Sequence, residues 1–591
     1  MHLKKTGMYQ TTPSGIYLRG ETVSLKMEFV SENIFRMWTT LQEDFRQEET
    51  LVVERTDFDC PNICVTEQDN LVMISSPKLT ACIHLEPFYV EVRDTVGNQV
   101  FSTPEGETIS WTGEKLTQRF DLPEETCVYG LGQSSNADLD LRGWERRMWH
   151  QWDGFRYSGN GGIPFLMTSQ GYGLLLNSSW ASRFVLGEGK LAPKTADVTP
   201  PDPWGEESSG EDNPLRGAIL LEGGDMDVFI IYGPDYPSIL RGYGYLVDRP
   251  PVIPKWALGY MQSKFGYKNQ DEALEVANEM RRRGIPGDVL IIDLDWFRYF
   301  ADLDWVKPYW PDPEGMLRQL RSMGFRAMIV SEPFVDTRSQ NFEEFNEKGY
   351  LYNWAPTAVN SPVDLTHYAV DQTNPAAQKL WWEKLRKLFD QGIRGFWCDM
   401  GEPQNHPEDT RDLYLGCREK VHNIYSVAWS KGIYENQRAY TNERPFTLLR
   451  TMYAGMHRYS AASWSGDVDC TWEVLKDQIV VGQQVNISGQ PWWGTDVGGC
   501  MYMERYDPEL FARWFQWGAF CPIFRTHGVR YNNEPWCYGE HVENIIKKYI
   551  NLRYALMPYI YTCAYETSRD FVPMMRPMYY AFPEDSVAAK E

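Results

Sequence analysis

The chain has 591 residues, of which 58 are basic and 81 acidic, so its formal net charge at neutral pH is −23. This length exceeds what one hydrophobic core holds, and two or three domains are expected. The acidic residues are spread along the chain, which argues against nucleic acid, an anionic membrane or a strongly anionic substrate as the main partner.

The first part of the chain, residues 1–250, shows short alternating strands separated by turn residues, with no long helical period between them. Typical stretches are GIYLRGETVSLKMEFV and FYVEVRDTVGNQVFS. The pattern predicts an antiparallel β-sandwich. Residues 194–214, rich in proline, glycine and acids, are predicted to form a long exposed loop. Residues 128–155 are either a loop that reaches over a neighbouring cleft or a structural turn.

The pattern changes at residues 248–260, DRPPVIPKWALGY, where three prolines predict a stiff linker. Beyond it, apolar strand candidates alternate with helical stretches, which predicts a (β/α)₈ TIM barrel over residues 251–570. The eight strand candidates are residues 256–262, 288–295, 326–333, 394–398, 445–450, 461–464, 490–495 and 521–525. In such a barrel the chemistry lies on the loops that follow the strands.

Two of these strand exits have the same build: GFWCDMGEP, residues 395–403, and SWSGDVDCTWEVL, residues 463–475. In each, a tryptophan precedes an aspartate, Asp399 or Asp467, on a small-residue turn. A helix cap is the alternative for Asp399 or Glu402. Two carboxylates at strand ends are, however, what cleavage of a glycosidic bond needs, and we expect them to face each other across the barrel mouth.

Other polar side chains follow the remaining predicted strands. For any one of them a salt bridge or a helix cap is the simpler interpretation, but a whole ring of ionisable groups on one rim favours a functional site. The ring comprises Asp293, Asp295, Glu332, Arg450, Asp496, Arg525 and His527. Some of the 23 tryptophans are expected to line the same cleft, because a flat apolar ring with a polar edge suits the face of a sugar.

The cysteines and histidines predict neither a metal nor any other cofactor. The 11 cysteines show no metal-like pair of pairs, Cys60 and Cys64 alone being a weak signal, and the 9 histidines never form a two-histidine helical pair. The N-terminus lacks an apolar run behind its lysines, and no stretch has the length of a membrane span. A cytoplasmic, reduced protein is expected.

The segments GFWCDMGEP, IIDLDWF, WSGD and FRTHG resemble signature segments of glycoside hydrolase family 31, and the resemblance extends over essentially the whole chain. That family comprises retaining α-glucosidases, α-xylosidases, α-galactosidases, sulfoquinovosidases and α-glucan transglycosylases. The resemblance implies that Asp399 is the catalytic nucleophile and Asp467 the general acid/base, with Asp469 as the alternative acid.

The resemblance also implies the residues that hold the sugar. Asp293 matches the residue that binds its distal hydroxyls, and Arg450 and His527 match contacts near the cleaved bond. Three residues, Trp397, Met400 and Trp464, match walls of the pocket, and Asp496 matches a supporting acid. Gly401 and Cys500 depart from the family pattern, which more often has asparagine and an aromatic residue there.

The implied function is a retaining, exo-acting α-glycosidase that releases α-linked glucose, or a related glycone, from oligosaccharides. An α-glucan transglycosylase and an α-xylosidase or α-galactosidase are alternatives within the family. A non-catalytic sugar-binding module, or an isomerase or aldolase on the same barrel, are the alternatives outside it. The acidic balance disfavours a sulfoquinovosidase.

Residues 571–591 begin what looks like a new strand. Family members normally continue into C-terminal β-domains, so the resemblance implies that these domains are missing or truncated here. A compensating contact in a homo-oligomer is expected as one consequence.

Overall fold

The computed structural model describes residues 1–6, 9–20, 22–45, 48–133, 139–150, 161–191, 204, 208–353, 367–402, 411–501, 507–529 and 532–589. Most of the chain falls into two parts, a β-rich N-terminal part and a mixed α/β part. Among the helices within these ranges, none is both long and apolar enough to span a bilayer.

The N-terminal part is built of sheets that are antiparallel except where Trp144–Met148 pairs with Lys190–Leu191, and the predicted β-sandwich is confirmed. In the described residues, its largest sheet has eight strands, in the spatial order Tyr9–Thr11, Gly15–Arg19, Ser24–Ser31, Ile34–Thr40, Met226–Tyr232, Tyr172–Leu176, Gly162–Thr168 and Val128–Gly132. The next sheet has the order Ile109–Thr112, Lys115–Asp121, Arg216–Leu221, Ser182–Leu186, Trp144–Met148 and Lys190–Leu191. The third is a meander of Cys64–Gln68, Leu71–Ser75, Leu79–Leu85, Phe88–Asp94 and Gln99–Ser102.

Strand Phe88–Asp94 shows why these segments form sheets with one buried face. Phe88, Val90 and Val92 are fully buried, whereas the residues between them are partly exposed. Successive side chains of a strand point to opposite faces, so this alternation fixes which face meets the core.

The second part is a barrel of parallel strands, as predicted. Within the described residues its strands are, in chain order, Tyr260–Gln262, Val289–Ile292, Arg326–Ser331, Ile393–Cys398, Thr447–Leu449, Ala461–Trp464, Trp493–Gly494, Asp496–Val497 and Phe524–Thr526. Strand Val289–Ile292 is buried along its whole length, as a strand covered on both faces must be.

The barrel closes at residues 493–497. Trp493–Gly494 pairs with strand Ala461–Trp464, and Asp496–Val497 pairs with the last strand, Phe524–Thr526. The seventh predicted strand is therefore divided into two short pieces on either side of Thr495, and one continuous segment joins the two ends of the sheet.

Helices follow most barrel strands and cover the outside of the barrel. They are Gln270–Arg282, Pro313–Ser322, Phe342–Glu347, Pro375–Gln391, Arg418–Val421, Tyr425–Tyr440, Trp472–Ile487, Pro508–Gly518, Glu540–Ala555 and Met557–Asp570. Several begin at a side-chain cap: the Asn269, Asp312, Asn374, Thr471 and Asp507 side chains each accept a hydrogen bond from a backbone N–H of the first turn.

Two features of the fold differ from the sequence predictions. Helix Tyr236–Val247 lies in the part predicted to have no long helical period; two glycines interrupt its apolar pattern, but Asp235 caps it. An extra antiparallel sheet of Phe334–Asp336, His367–Val370 and Leu351–Asn353 follows the third barrel strand. Its strands have three or four residues, too short for a recognisable alternation.

Three further segments bear on the sequence predictions. Residues 128–155 contain sandwich strands Val128–Gly132 and Trp144–Met148, whereas residues 134–138 and 151–155 lie outside the described residues. The loop prediction for residues 194–214 likewise falls mainly outside them.

The strand predicted to begin after residue 570 is not found in the described residues there. Helical turn Met578–Ala581 stacks Tyr579 on Tyr129 of the sandwich instead.

Arg553 joins the first and last strands of the barrel at their N-terminal ends. Its side chain is 1% exposed, and its guanidinium donates hydrogen bonds of 2.7–3.1 Å to the backbone oxygens of Leu258, Ala519, Cys521 and Pro522. Leu258 precedes the first strand, and the other three residues precede the last. Burial lowers the pKa of Arg553 to about 10, so the group stays charged at neutral pH.

Replacing Arg553 with lysine is expected to lower the free energy of unfolding by about 2–3 kcal/mol. An ammonium group cannot donate hydrogen bonds to all four carbonyl oxygens, so some of them are left without a partner. Urea denaturation followed by tryptophan fluorescence measures the change. Arg513→Lys, at an exposed helix position, is the matched control. Equal stability of the two variants would show that Arg553 does not secure the barrel.

Candidate active site

Arg450 gathers three carboxyl groups at the mouth of the barrel. It is 5% exposed, and its Nε donates a 2.7 Å hydrogen bond to Oε1 of Glu402, which the terminal nitrogen Nη2 also contacts. The same guanidinium lies 3.5 Å from Oδ1 of Asp399, through Nε, and 3.3 Å from Oδ2 of Asp467, through Nη1. The two aspartates predicted from the sequence therefore lie within reach of one side chain.

The barrel strands explain this convergence. Strand Thr447–Leu449 lies between Ile393–Cys398 and Ala461–Trp464, with Leu449 in register with both Cys398 and Ser463. Asp399 and Arg450 each come directly after their strand, and Asp467 comes three residues after its own. The aspartates are thus next-but-one neighbours on the rim rather than diametrically opposed, and Arg450 stands between them.

The backbone around Asp399 is held in an unusual conformation. Its N–H donates to the Ser331 oxygen at 3.1 Å, which extends the sheet by one residue. Its Oδ1 accepts a 2.8 Å hydrogen bond from the N–H of Met400, whose φ of +54° lies in the left-handed region. A non-glycine residue in that region is strained and needs local contacts to keep it there. Asp399 is therefore fixed in position rather than free on a loop.

Neither predicted aspartate acts as a helix cap within the described residues. The next described helix after Asp399 begins at Arg418, and Thr471 caps the helix after Asp467. Burial raises the pKa of Asp467; Arg450 opposes the shift and the Asp399 charge adds to it. The Cys500 thiol lies 3.8 Å from Oδ1 of Asp467.

A buried ion pair forms the floor beneath the two tryptophans predicted to line the pocket. Arg525 contacts Asp496, and both side chains are at most 1% exposed. The guanidinium carbon of Arg525 lies 4.7 Å from the ring centre of Trp397 and 4.9 Å from that of Trp464. The two indoles pack edge to face. Cation–π contacts of this kind fix both ring planes.

Asp293 and His527 form a third, deeper group. Nε2 of His527 lies 3.7 Å from Oδ2 of Asp293, and Nδ1 lies 2.8 Å from the Ser263 hydroxyl. Burial lowers the pKa of His527 well below its ordinary value and raises that of Asp293 well above it. A neutral imidazole and a neutral carboxyl group can each both donate and accept hydrogen bonds, which suits hydroxyl groups. Asp295, also on this strand exit, pairs with Lys268 instead.

The structure thus brings the predicted residues to one rim and adds others that the sequence prediction missed. Glu402 was considered only as a helix cap, but its buried carboxylate pairs with Arg450. Arg525 was noted at a strand exit but not assigned to the site. Arg525 is the last residue of the eighth predicted strand, residues 521–525, and this position at the strand end could have assigned it to the site. Met400 packs against the aromatic cluster of the extra three-stranded sheet.

Asp496, Cys500 and His527 are the one group of possible metal ligands found within the described residues. Their ligand atoms lie within 4.8 Å of one another, and all three side chains are buried. Asp496 is already paired with Arg525, and burial raises the pKa of the Cys500 thiol well above its ordinary value. A cation there would face a guanidinium and have to displace the thiol proton, so this donor set does not fit a resident metal.

Comparison with known proteins gives the class of protein. The family model described as the glycosyl hydrolases family 31 TIM-barrel domain matches residues 250–563, more than half of the chain. The model of the N-terminal galactose mutarotase-like domain of the same family matches residues 24–184. The chain therefore belongs to glycosyl hydrolase family 31 and is a glycoside hydrolase, as its signature segments predicted.

Individual relatives carry several substrate names. An α-xylosidase of Saccharolobus solfataricus is 31% identical over 96% of this chain and 75% of its own length. Alpha-glucosidase 2 of Bacillus thermoamyloliquefaciens is 28% identical over 96% of this chain and 71% of its own. The structure of a Flavobacterium johnsoniae dextranase in complex with glucose superposes with a TM-score of 0.91 at 28% identity, covering 100% of this chain and 73% of the other.

Replacing Asp496 with asparagine is expected to lower the free energy of unfolding by about 3–5 kcal/mol, because it leaves the buried guanidinium of Arg525 without its charge partner. Urea denaturation measures the loss. Asp412→Asn, at an exposed position of the same domain, provides the control. A loss no larger than in the control would mean that Arg525 does not depend on Asp496.

Proposed function

We propose that this protein is a retaining, exo-acting α-glycosidase that releases α-linked glucose, or a closely related glycone, from the non-reducing end of oligosaccharides. The observation that carries the proposal is the placement of Asp399 and Asp467 on a single guanidinium group, that of Arg450. Retaining glycosidases need two carboxyl groups roughly 5–5.5 Å apart at one sugar.

In the proposed mechanism the two aspartates have opposite tasks. Asp399 attacks the anomeric carbon as a carboxylate, while Asp467 donates its proton to the departing oxygen. The raised pKa of Asp467, caused first by burial, favours the protonated form that this step requires. A β-linked glycosyl-enzyme results. Asp467 then removes a proton from the incoming water, and the released sugar keeps the α configuration.

Exo action is supported by how deep the site residues lie. The Asp399 and Asp467 side chains are 17% and 27% exposed, whereas those of Asp293 and His527 are 5% and 4% exposed. A sugar whose anomeric carbon meets Asp399 places its far hydroxyls toward the deeper pair. The deep end of the site is formed by these buried side chains, which suits the terminal residue of a chain.

An α-xylosidase is the second candidate, because the relative of that name is 31% identical over 96% of the chain. Transglycosylation is the other outcome that the same intermediate permits: a sugar hydroxyl in place of water would give a longer oligosaccharide. Incubation with nitrophenyl α-glucoside, α-xyloside and α-galactoside identifies the glycone. Incubation with maltose, followed by chromatography, separates hydrolysis from transfer.

Asp399→Asn is expected to lower kcat by about a thousandfold or more on the best of these glycosides, because the amide is a poor nucleophile. The variant should still bind the sugar, since its shape is unchanged. Asp412→Asn serves as the control. A variant that retains turnover would contradict the assigned nucleophile. A wild-type protein that binds sugar without any turnover would indicate a binding module instead.

The configuration of the first product distinguishes the two stereochemical courses. Proton NMR during the first minutes of hydrolysis should show the α-anomer of the free sugar, with the β-anomer appearing later by mutarotation. The reason is that two successive displacements at the anomeric carbon restore its original configuration. A β-anomer formed first would require direct attack by water and would refute the covalent intermediate.

Cys500→Ala is expected to move the alkaline limb of the kcat/KM profile to higher pH. The thiol donates toward Oδ1 of Asp467 and so favours its ionised form; without this donor the pKa of Asp467 rises and the acid keeps its proton longer. The profile measured for Cys64→Ala, an exposed cysteine, is the reference. An unchanged or lowered limb would mean that the thiol does not influence Asp467.

A further inference from the structure

Glu332 occupies a central position on the rim that the proposed mechanism leaves without a role. It follows strand Arg326–Ser331, which pairs on one side with Val289–Ile292 and on the other with Ile393–Cys398. Those neighbouring strands lead directly into Asp293 and Asp399. The parallel register therefore places Glu332 between the deep hydroxyl-binding pair and the proposed nucleophile.

The surroundings of Glu332 are those of the site itself. The residue is 6% exposed, and the charges that act on it are those of Asp399, Arg450, Asp293 and Glu402. These groups stand on three different strand exits, because Asp399 and Glu402 both follow strand Ile393–Cys398. Glu332 therefore lies inside the ring of site residues rather than behind it.

Glu332 differs from its neighbours because it makes no hydrogen bond and no ion pair within the part of the chain that the structure describes. Asp399 and Asp467 contact Arg450, and Glu402 is bound to the same guanidinium. Two further carboxyl groups of the rim, Asp293 and Asp496, are bound by the Leu294 N–H and by Arg525, and Asp295 pairs with Lys268. Buried polar groups in folded proteins almost always have a partner, so a carboxyl group left without one at a ligand site points to the ligand.

The protonation state of Glu332 defines what that partner must offer. Burial, followed by the nearby Asp399, raises its pKa well above the ordinary value, and Arg450 offsets this only in part. A neutral carboxyl group has one O–H donor and a carbonyl acceptor. A sugar hydroxyl accepts the first and donates to the second, whereas an anionic ligand group would be repelled by the surrounding carboxylates.

We propose that Glu332 is a further substrate-binding residue, which donates a hydrogen bond from its carboxyl group to a hydroxyl oxygen of the sugar ring held beside Asp399. The inference rests on the proposed function, because it takes the occupant to be a sugar whose anomeric carbon faces Asp399. Its position between Asp293 and Asp399 assigns the contact to a hydroxyl midway between the anomeric carbon and the deep end of the ring. Glu332 is thus a determinant of which glycone the site accepts.

Two substitutions separate hydrogen bonding from charge. Glu332→Ala should lower kcat/KM by about tenfold to a hundredfold, because the sugar hydroxyl loses its partner in a buried site. Glu332→Gln, which keeps a neutral donor and acceptor of the same shape, should recover the greater part of that loss. Glu347→Ala, on an exposed helix end of the same domain, is the control for a glutamate-to-alanine change. A glutamine variant as impaired as the alanine variant would overturn the neutral-donor role.

Deoxy sugars test the contact itself within each folded protein. A set of nitrophenyl glycosides, each lacking one ring hydroxyl, is assayed with the wild type and with Glu332→Ala. One deoxygenation should cost the wild type about tenfold or more in kcat/KM while costing the variant much less, because the same hydrogen bond has already been lost. Equal penalties in both proteins at every position would overturn the proposal, and this comparison does not depend on equal stability of the two proteins.

Binding without turnover separates this inference from the proposed function. In the Asp399→Asn background, calorimetric titration with the released monosaccharide should give a dissociation constant about tenfold or more higher when Glu332→Ala is added. Unchanged affinity would contradict the role of Glu332 while leaving the assignment of Asp399 intact. Full turnover by the Asp399→Asn variant itself would instead refute the proposed function.

Discussion

The site depends on one buried cation among many carboxyl groups. Arg450 contacts Asp399, Glu402 and Asp467, and its own burial is tolerated because these charges more than compensate for lost hydration. Without a cation at that point, the carboxyl groups would repel one another and could not stay this close together. Glu402 accepts hydrogen bonds from Nε and Nη2 of the guanidinium, which leaves Nη1 for Asp467, and Nε also lies 3.5 Å from Asp399.

The barrel makes that arrangement possible. Parallel strands bring residues that are distant in sequence to one rim, because the C-terminal ends of all the strands meet there. Arg450 follows the strand between those of Asp399 and Asp467, so the bridging cation and both acids come from three adjacent strands. Arg525, paired with Asp496 and lying against Trp397 and Trp464, then fixes the neighbouring wall. Arg450 and Arg525 thus act on different parts of the site.

Much of this could be predicted from the sequence, for identifiable reasons. Buried parallel strands form apolar runs, and a polar residue at or just beyond the end of such a run lies on the rim, which is why Asp293, Asp399, Arg450 and Asp467 were recognisable. The sequence does not contain the pairing between them. Glu402 and Arg450 are 48 residues apart, and no local pattern indicates that they meet. The same holds for the unpaired state of Glu332 and for the three-stranded sheet, whose strands are too short to show a period. The division of the seventh strand at Thr495 follows from barrel closure, which a local pattern also cannot show.

The central claim is that Asp399 forms a covalent bond to the sugar, while Asp467 donates a proton to the leaving oxygen and later removes one from water. The most direct test is to treat the protein with a fluorinated α-glycosyl substrate whose intermediate breaks down slowly, and then to measure intact mass and map the labelled peptide. The account predicts one added glycosyl group per chain, attached to Asp399. An adduct on any other residue, or turnover with no adduct and inversion of the anomeric carbon, would contradict it.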